Sequence, residues 1–303
     1  MRVLLFGSRG QVGWQLQRSL APLGEVVAVS TGSQGLCGDL CDPDGIARTV
    51  TDVSPHVVVN AAAYTAVDRA EDEPEAAHAV NAAACEVLAR ASRDAGAWLV
   101  HYSTDYVYAG TGDGPWREDD VPEPLSVYGR TKLAGDLAVQ RNPRHLVFRT
   151  SWVFDAWGQN FLKSILRAAM ARDALRVVHD QWGAPTRAAL IADVTAHALR
   201  SALAGGGRLA GVYHLTARGA TSWHGYATLL LEEAERHGFP LRVRAAQVQG
   251  IPSSDYPARA PRPANSRLDT SRLRAAFDLE LPPWEEGVRA VVAELAHQRS
   301  FLT

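Results

Sequence analysis

The chain has 303 residues, 47% of them hydrophobic and 21% charged, with a formal net charge of -2. That balance suits a folded soluble protein with a large core and argues against a disordered segment. Scattered basic residues, with only a short run at Arg242–Arg244, offer no track for nucleic acid.

The predicted elements alternate from the start. Arg2 to Phe6 reads as a buried strand and Gln11 to Leu20 as a helix. Val26 to Val29 and Val57 to Asn60 are further strands, separated by a polar turn through Gly32, Gly35 and Gly38. Pro74 to Ala95 is alanine-rich and predicts a helix. Trp98 to Tyr102 and Leu146 to Phe148 are strands, with a helix within Leu125 to Gln140 between them. This alternation predicts an α/β fold with a doubly wound parallel sheet covered on both faces. Farther on, Asn160 to Ala171, Ile191 to Leu203 and Trp223 to His237 read as helices, and Leu175 to Val178 and Val212 to Leu215 as extended. Ile251 to Pro263 is too rich in proline for regular structure, and a terminal helix follows Pro283. Residues 1–150 are expected to form the main domain and to receive 176–220. Residues 151–175 and 221–303 are expected to make up most of a smaller α/β domain.

No apolar run approaches the roughly 20 residues needed to span a bilayer. M-R-V-L-L-F-G runs straight into a glycine turn without a secretory cleavage region, so a cytoplasmic location is expected and no membrane partner. Cys37, Cys41 and Cys85 are too few for a disulfide framework and lack the spacing of a zinc site, so no metal is assigned from the residues.

Gly7, Gly10 and Gly13 form G-x-x-G-x-x-G directly after the first strand. Glycine permits both the turn and the close approach of a phosphate, and the helix that follows offers unpaired backbone donors to a pyrophosphate. The second strand ends at Ser30 without the acidic residue that would bind an NAD ribose. The reading leans towards NADPH, with Arg9 a candidate for its extra phosphate, and NADH stays open. Asp39 and Leu40 in G-D-L-C-D could line the adenine, and the small residues Ala61, Ala62 and Ala63 let the cofactor pass close to the backbone.

Thr104 and Asp105 follow W-L-V-H-Y-S at a sheet's carboxyl edge, where substrates gather in open α/β folds. Tyr128 and Lys132 stand four apart in Y-G-R-T-K and share one helix face. There the phenol can donate a proton to a developing alkoxide, and the ammonium is expected to lower the phenol's pKa.

These features resemble the extended short-chain dehydrogenase/reductases, and within them the dTDP-4-dehydrorhamnose reductases. The likeness runs from residue 3 to residue 270, through F-G-S-R-G-Q-V-G, G-D-L-C-D, N-A-A-A-Y-T-A-V-D-R-A-E, S-T-D-Y-V-Y, P-L-S-V-Y-G-R-T-K, L-V-F-R-T-S-W-V-F, Q-W-G-A-P-T and R-P-A-N-S-R-L-D-T. It implies an N-terminal Rossmann domain, a smaller sugar-nucleotide domain, and NADPH or NADH as cofactor. It implies reduction of the C4 ketone of a dTDP-linked 4-keto sugar, dTDP-6-deoxy-L-lyxo-4-hexulose, to dTDP-L-rhamnose. Thr104, Tyr128 and Lys132 then match the catalytic residues. Gly7, Gly10, Gln11 and Val12 match the phosphate turn, with Asp39, Leu40, Ala62, Ala63 and Thr65 along the adenosine and linker. Trp152 falls near the sugar pocket, and Asn160, Gln181 and Trp182 take a substrate role from the resemblance alone. Some relatives form magnesium-associated homodimers through acidic residues after G-A-P-T. Here R-A-A-L-I-A-D offers Asp193 and no glutamate, against that metal contact but compatible with a dimer.

Two other readings stay open on the residues. A sugar-nucleotide epimerase or dehydratase would share the scaffold, although T-D-Y at the catalytic strand lacks the acidic pair T-D-E expected of a dehydratase. A non-enzymatic regulatory subunit, like that of methionine adenosyltransferase, could keep the triad for cofactor binding alone.

Overall fold

Short strands rich in valine and leucine build the sheet. β1 (Arg2–Phe6), β2 (Glu25–Val29), β3 (Val57–Asn60), β4 (Trp98–Thr104) and β5 (His145–Thr150) are joined at one edge by Gly211–His214. Every pairing is parallel, and the order from that edge is Gly211–His214, β5, β4, β3, β1, β2. The structure, a computed structural model, describes residues 1–300, with side chains to residue 298. Residues Leu4–Phe6 and Val57–Val59 are fully buried, as strands packed on both faces must be.

One face carries α1 (Gln11–Leu20) and the helix Ala188–Ala204, with Leu16, Leu20, Ile191 and Leu199 against Val3 and Leu5. The other carries α2 (Pro43–Val53) and the helix Ala84–Asp94, with Ile46, Val50 and Leu88 against Leu4 and Phe6. Winding reverses between β1 and β3, which opens a crevice at the strands' carboxyl ends.

A second core gathers Leu162, Leu166, Tyr226, Leu230, Val288 and Val291 from the helices Phe161–Ala171, Trp223–Arg236 and Trp284–Ser300. Beside it Arg176–Val178 pairs with Gln249–Ile251, and Trp182–Gly183 with Thr221–Ser222. The expected division of the chain therefore needs adjustment. Residues 188–204 and 211–214 join the first core, but 176–178 pair with a strand flanking the second. Leu273, Phe277 and Leu281, expected in the smaller domain, cross back onto the first core, where Phe277 meets the edge-strand residue Tyr213.

Two local features were not anticipated. α2 starts at Asp42, whose carboxylate accepts from Gly45 N (2.8 Å), with Pro43 in the first turn. The stretch 74–95 is not one uniform helix: a π-helical turn, Ala79–Ala83, separates Pro74–His78 from Ala84–Asp94. Such turns are frequent at functional sites. This one aims Asn81 at Tyr64 N (2.9 Å), Tyr64 O (3.1 Å) and Thr131 Oγ1 (3.2 Å).

Candidate active site

Gly7 has a φ of +79°, and a Cβ there would sit 2.5 Å from Ala62 N. The turn thus lies directly against the alanine segment after β3, and Ala61 N donates to Phe6 O across the gap (3.0 Å). A Cβ on Gly13 would strike Gly7 O, so the helix enters at the closest approach glycine allows. α1 begins at Gly10 without a side-chain cap, which leaves its first N–H groups for an anion. Gln11, Val12 and Ala61 to Ala63 are partly exposed around this turn, and Thr65 is exposed beyond it. The cradle fits the pyrophosphate and adenosine of a dinucleotide.

Ser30 closes β2 in a small turn, its N donating to Ser33 Oγ (2.9 Å), and Arg9 is exposed on the glycine turn. Leu40 is buried, while Asp39 Oδ1 accepts from Cys41 N (3.0 Å). The three cysteines are free thiols.

β4 delivers Thr104 and Asp105 to the sheet's carboxyl edge, both buried. Thr104 Oγ1 donates to Asp105 Oδ1 (3.0 Å) and accepts from Tyr106 N (3.2 Å). Asp105 Oδ2 makes no hydrogen bond within 3.5 Å, and the Ser266 hydroxyl is near the carboxyl. Burial pushes the Asp105 carboxyl up to about 6, against the pull of Ser266 and Thr104.

Tyr128 is carried by the helix Val127–Val139, which Ser126 caps by accepting from Gly129 N (3.1 Å). A Cβ on Gly129 would strike Tyr106 O, so this glycine lets the helix dock close to the segment that follows β4. Burial raises the Tyr128 phenol above its ordinary range, Asp105 raises it further, and the Thr104 hydroxyl offsets part of the rise. This is opposite to the expected lowering by Lys132. The Lys132 ammonium is fully inside, donating to Tyr102 O (2.6 Å) with His101 Nε2 at 3.3 Å, so its reach is spent inward.

Trp152 adopts a left-handed backbone, φ +48°, which is strained for a non-glycine residue. Its ring stacks on Trp223 at 3.5 Å, and a Cβ on Gly183 would meet that ring. Asn160 is fully engaged. Its Oδ1 caps Lys163 N (3.0 Å), and its Nδ2 donates to Gln11 Oε1 (2.8 Å) and Asp155 O (2.7 Å), tying the second core to the phosphate turn. Gln181 lines a cleft of about 1040 Å³ with Phe161, Ile165, Trp223, Tyr256 and Arg262. Trp182 is 43% exposed nearby, held through its backbone to Ala264 and Ser266.

Arg262 was missed by sequence reasoning because it lies in the irregular proline segment. Its guanidinium donates to Tyr106 OH (3.2 Å) and Asp68 Oδ2 (2.6 Å), and Tyr106 packs edge-on to Tyr128 at 5.5 Å. The cleft is thereby linked to the phenol. Asp193, the acid considered for a metal contact, is engaged by Arg18 (2.7 Å) and Ser19 (2.6 Å). Among the described residues no three His, Cys, Asp or Glu side chains gather as a cation site.

With this geometry in place, the comparisons with known proteins decide the family. The family described as the RmlD substrate binding domain matches residues 1–297. The dTDP-4-dehydrorhamnose reductase of Salmonella typhimurium is 53% identical over 97% of this chain and 98% of its own length. The chain belongs to the dTDP-4-dehydrorhamnose reductase family. The family's Escherichia coli K12 protein is 51% identical over the same shares. Among solved structures, a family member from Bacillus anthracis in complex with NADP has a TM-score of 0.87 at 32% identity, covering 97% of this chain and 99% of that one. One from Clostridium acetobutylicum reaches 0.88 at 30% identity, again covering 97% of this chain and 99% of that one. No helix among the described residues is long and apolar enough to cross a membrane.

Proposed function

We propose that this protein reduces the C4 ketone of dTDP-6-deoxy-L-lyxo-4-hexulose to dTDP-L-rhamnose at the expense of NADPH or NADH. The observation that carries the reading is the convergence of Thr104 and Tyr128 at the sheet's carboxyl edge, beside a dinucleotide cradle, in a chain 53% identical to a reductase of that name.

When bound, the reduced nicotinamide supplies hydride. The protein's own groups do the rest. Tyr128, kept protonated by its buried site, donates its phenolic proton to the oxygen that becomes the alcohol. Thr104 orients the carbonyl and donates to its growing charge, since its hydroxyl can turn from Asp105 to the substrate. Lys132 favours the tyrosinate left after transfer by its positive charge one turn away, and reaching the nicotinamide ribose requires its ammonium to turn from Tyr102 O. The cleft lined by Gln181, Trp223 and Arg262 takes the nucleotide-sugar body, and Trp152 borders the sugar. Remote binding there orients the ketone. Ser30 gives no acid to repel a 2′-phosphate, so NADPH should work at least as efficiently as NADH, with Arg9 placed to help.

The test is incubation with the 4-keto sugar nucleotide, followed at the nicotinamide absorbance band with separation of the product. One NAD(P)H consumed per dTDP-L-rhamnose formed is expected. Epimerised product without net oxidation would replace this reading with an epimerase, and capture of a partner without turnover would favour a regulatory subunit.

A further inference from the structure

Asp136 lies one helical turn beyond Lys132 and two beyond Tyr128, so phenol, ammonium and carboxylate follow one stripe of the helix Val127–Val139. The carboxylate is wholly buried, where an ionised acid persists only beside positive charge. Arg149 on β5 donates through Nε to Asp136 Oδ2 (3.1 Å) and through Nη1 to Tyr108 OH (2.7 Å). Asp136 Oδ1 makes no hydrogen bond within 3.5 Å, the Ser103 hydroxyl beside the carboxylate favours its charged form, and His101 Nε2 lies 4.0 Å away.

The His101 ring lies between the carboxylate and the ammonium. Ala62 N donates to Asn60 Oδ1 (3.2 Å), which turns Asn60 Nδ2 towards His101 Nδ1 (3.3 Å), while Lys132 Nζ faces Nε2 (3.3 Å). Both neighbours are donors, and a neutral imidazole accepts from one of them. Asp136 Oδ1, 4.0 Å from Nε2, is beyond hydrogen-bond distance and meets the ring and the ammonium as a charge.

Lys132 then meets one backbone acceptor, Tyr102 O, and needs a counter-charge. The titratable and charged groups around it are His101 from β4, Cys85 from Ala84–Asp94, Arg149 from β5, and Tyr128 and Asp136 from its own helix. Burial holds His101 neutral and pushes the Cys85 thiol up to about 11, so neither supplies negative charge at working pH. Asp136 remains. Arg149 does not release a proton, so this is no wire to the surface. We propose that Asp136 is a positioning residue for Lys132, acting across the His101 imidazole to keep the ammonium charged and seated one turn from Tyr128. Its catalytic consequence rests on the reductase reading, but its effect on Lys132 does not.

The chain has two lysines, Lys132 and Lys163, which makes the test direct. Protein labelled with ¹³Cε-lysine gives two signals, and Lys163→Arg assigns them. Asp136→Asn keeps the shape and an acceptor for Arg149 while removing the charge. The Lys132 titration midpoint should fall by about one pH unit or more. In the reduction assay the alkaline limb should move to lower pH, because the ammonium is lost sooner as pH rises. Asp136→Glu should restore both. An unmoved midpoint in Asp136→Asn overturns the proposal, even if turnover drops, since Asp136 would then be merely structural. If that variant fails to fold, Asp136→Asn/Arg149→Met removes both buried charges together and is titrated instead. Losing the Arg149 charge lifts a repulsion on Lys132 and opposes the fall, so the double variant is read against Arg149→Met alone, and equal midpoints in the two overturn the proposal. Wild-type protein that reduces no 4-keto sugar would sink the reductase reading and leave the lysine titration to decide this one.

Discussion

At the residue scale, two acidic groups beside one hydroxyl carry the proposed chemistry. Tyr128 can be an acid at working pH because burial and Asp105 keep its proton on. Tyr128→Phe should keep cofactor and sugar affinity but lose about 10²–10⁴-fold in turnover, read by single-turnover kinetics with separate binding titrations. Normal turnover would exclude the phenol as the essential acid. Asp105 gives a stability prediction with a definite sign. Its native pKa of about 6 lies above its unfolded value of about 4, so the folded state binds the proton more tightly. Its contribution to stability is full below pH ~4 and lost as pH rises through ~6. Asp105→Asn should therefore stabilise the fold at pH 8, by at most on the order of 2–3 kcal/mol and read as a higher melting temperature, and do little at pH 4. Equal effects at both pH values would mean that the carboxylate is not strained by burial.

At the scale of elements, the π-helical turn Ala79–Ala83 does what a regular helix would not. It places Asn81 between the segment after β3 and the tyrosine helix, where one amide serves Tyr64 and Thr131. Asn81→Ala would strand the part-buried Tyr64 N–H and should cost about 1 kcal/mol. Urea unfolding with an unchanged m-value would show it, and cofactor affinity should weaken because Ala61–Thr65 loses its anchor. An unchanged urea midpoint would show that the turn is not held this way. The alanine-rich stretch 74–95 announces a helix but not the extra residue in its middle, because Asn81's partners lie far off in sequence.

Over the whole molecule, the two cores meet at the glycine turn. Asn160 begins a helix of the second core while donating to Gln11 on the first, and Trp157 Nε1 reaches Arg9 O (3.1 Å) as its ring stacks on Trp14. The proposed cofactor and sugar sites therefore share a support. Asn160→Ala should cost about 1 kcal/mol as a lost cap. It should also weaken both cofactor binding, measured by fluorescence titration, and the sugar-nucleotide KM. A change confined to the sugar would mean that the contact with Gln11 carries no coupling.

By itself the sequence determined the parallel sheet, the glycine turn and the Tyr128–Lys132 spacing, because each depends on contacts within one strand, turn or helix. Apolar runs such as Val57–Val59 state their burial, and Gly7 and Gly13 mark backbone approach that no other residue permits. α2 was equally local, and Asp42–Pro43 was its readable signal. Only the tertiary structure decided where Lys132 points. Its spacing from Tyr128 suggested an ammonium turned to the phenol, but β4 offers Tyr102 O and His101 inside the sheet. Asp136 was visible at the next turn, yet its meaning required Arg149 from β5 and Asn60 from β3. Arg262 and the return of Leu273–Leu281 to the first core were likewise beyond local reading. A charge or ring buried by distant segments takes its pKa and direction from them, and no periodicity in its own element records which segments those will be.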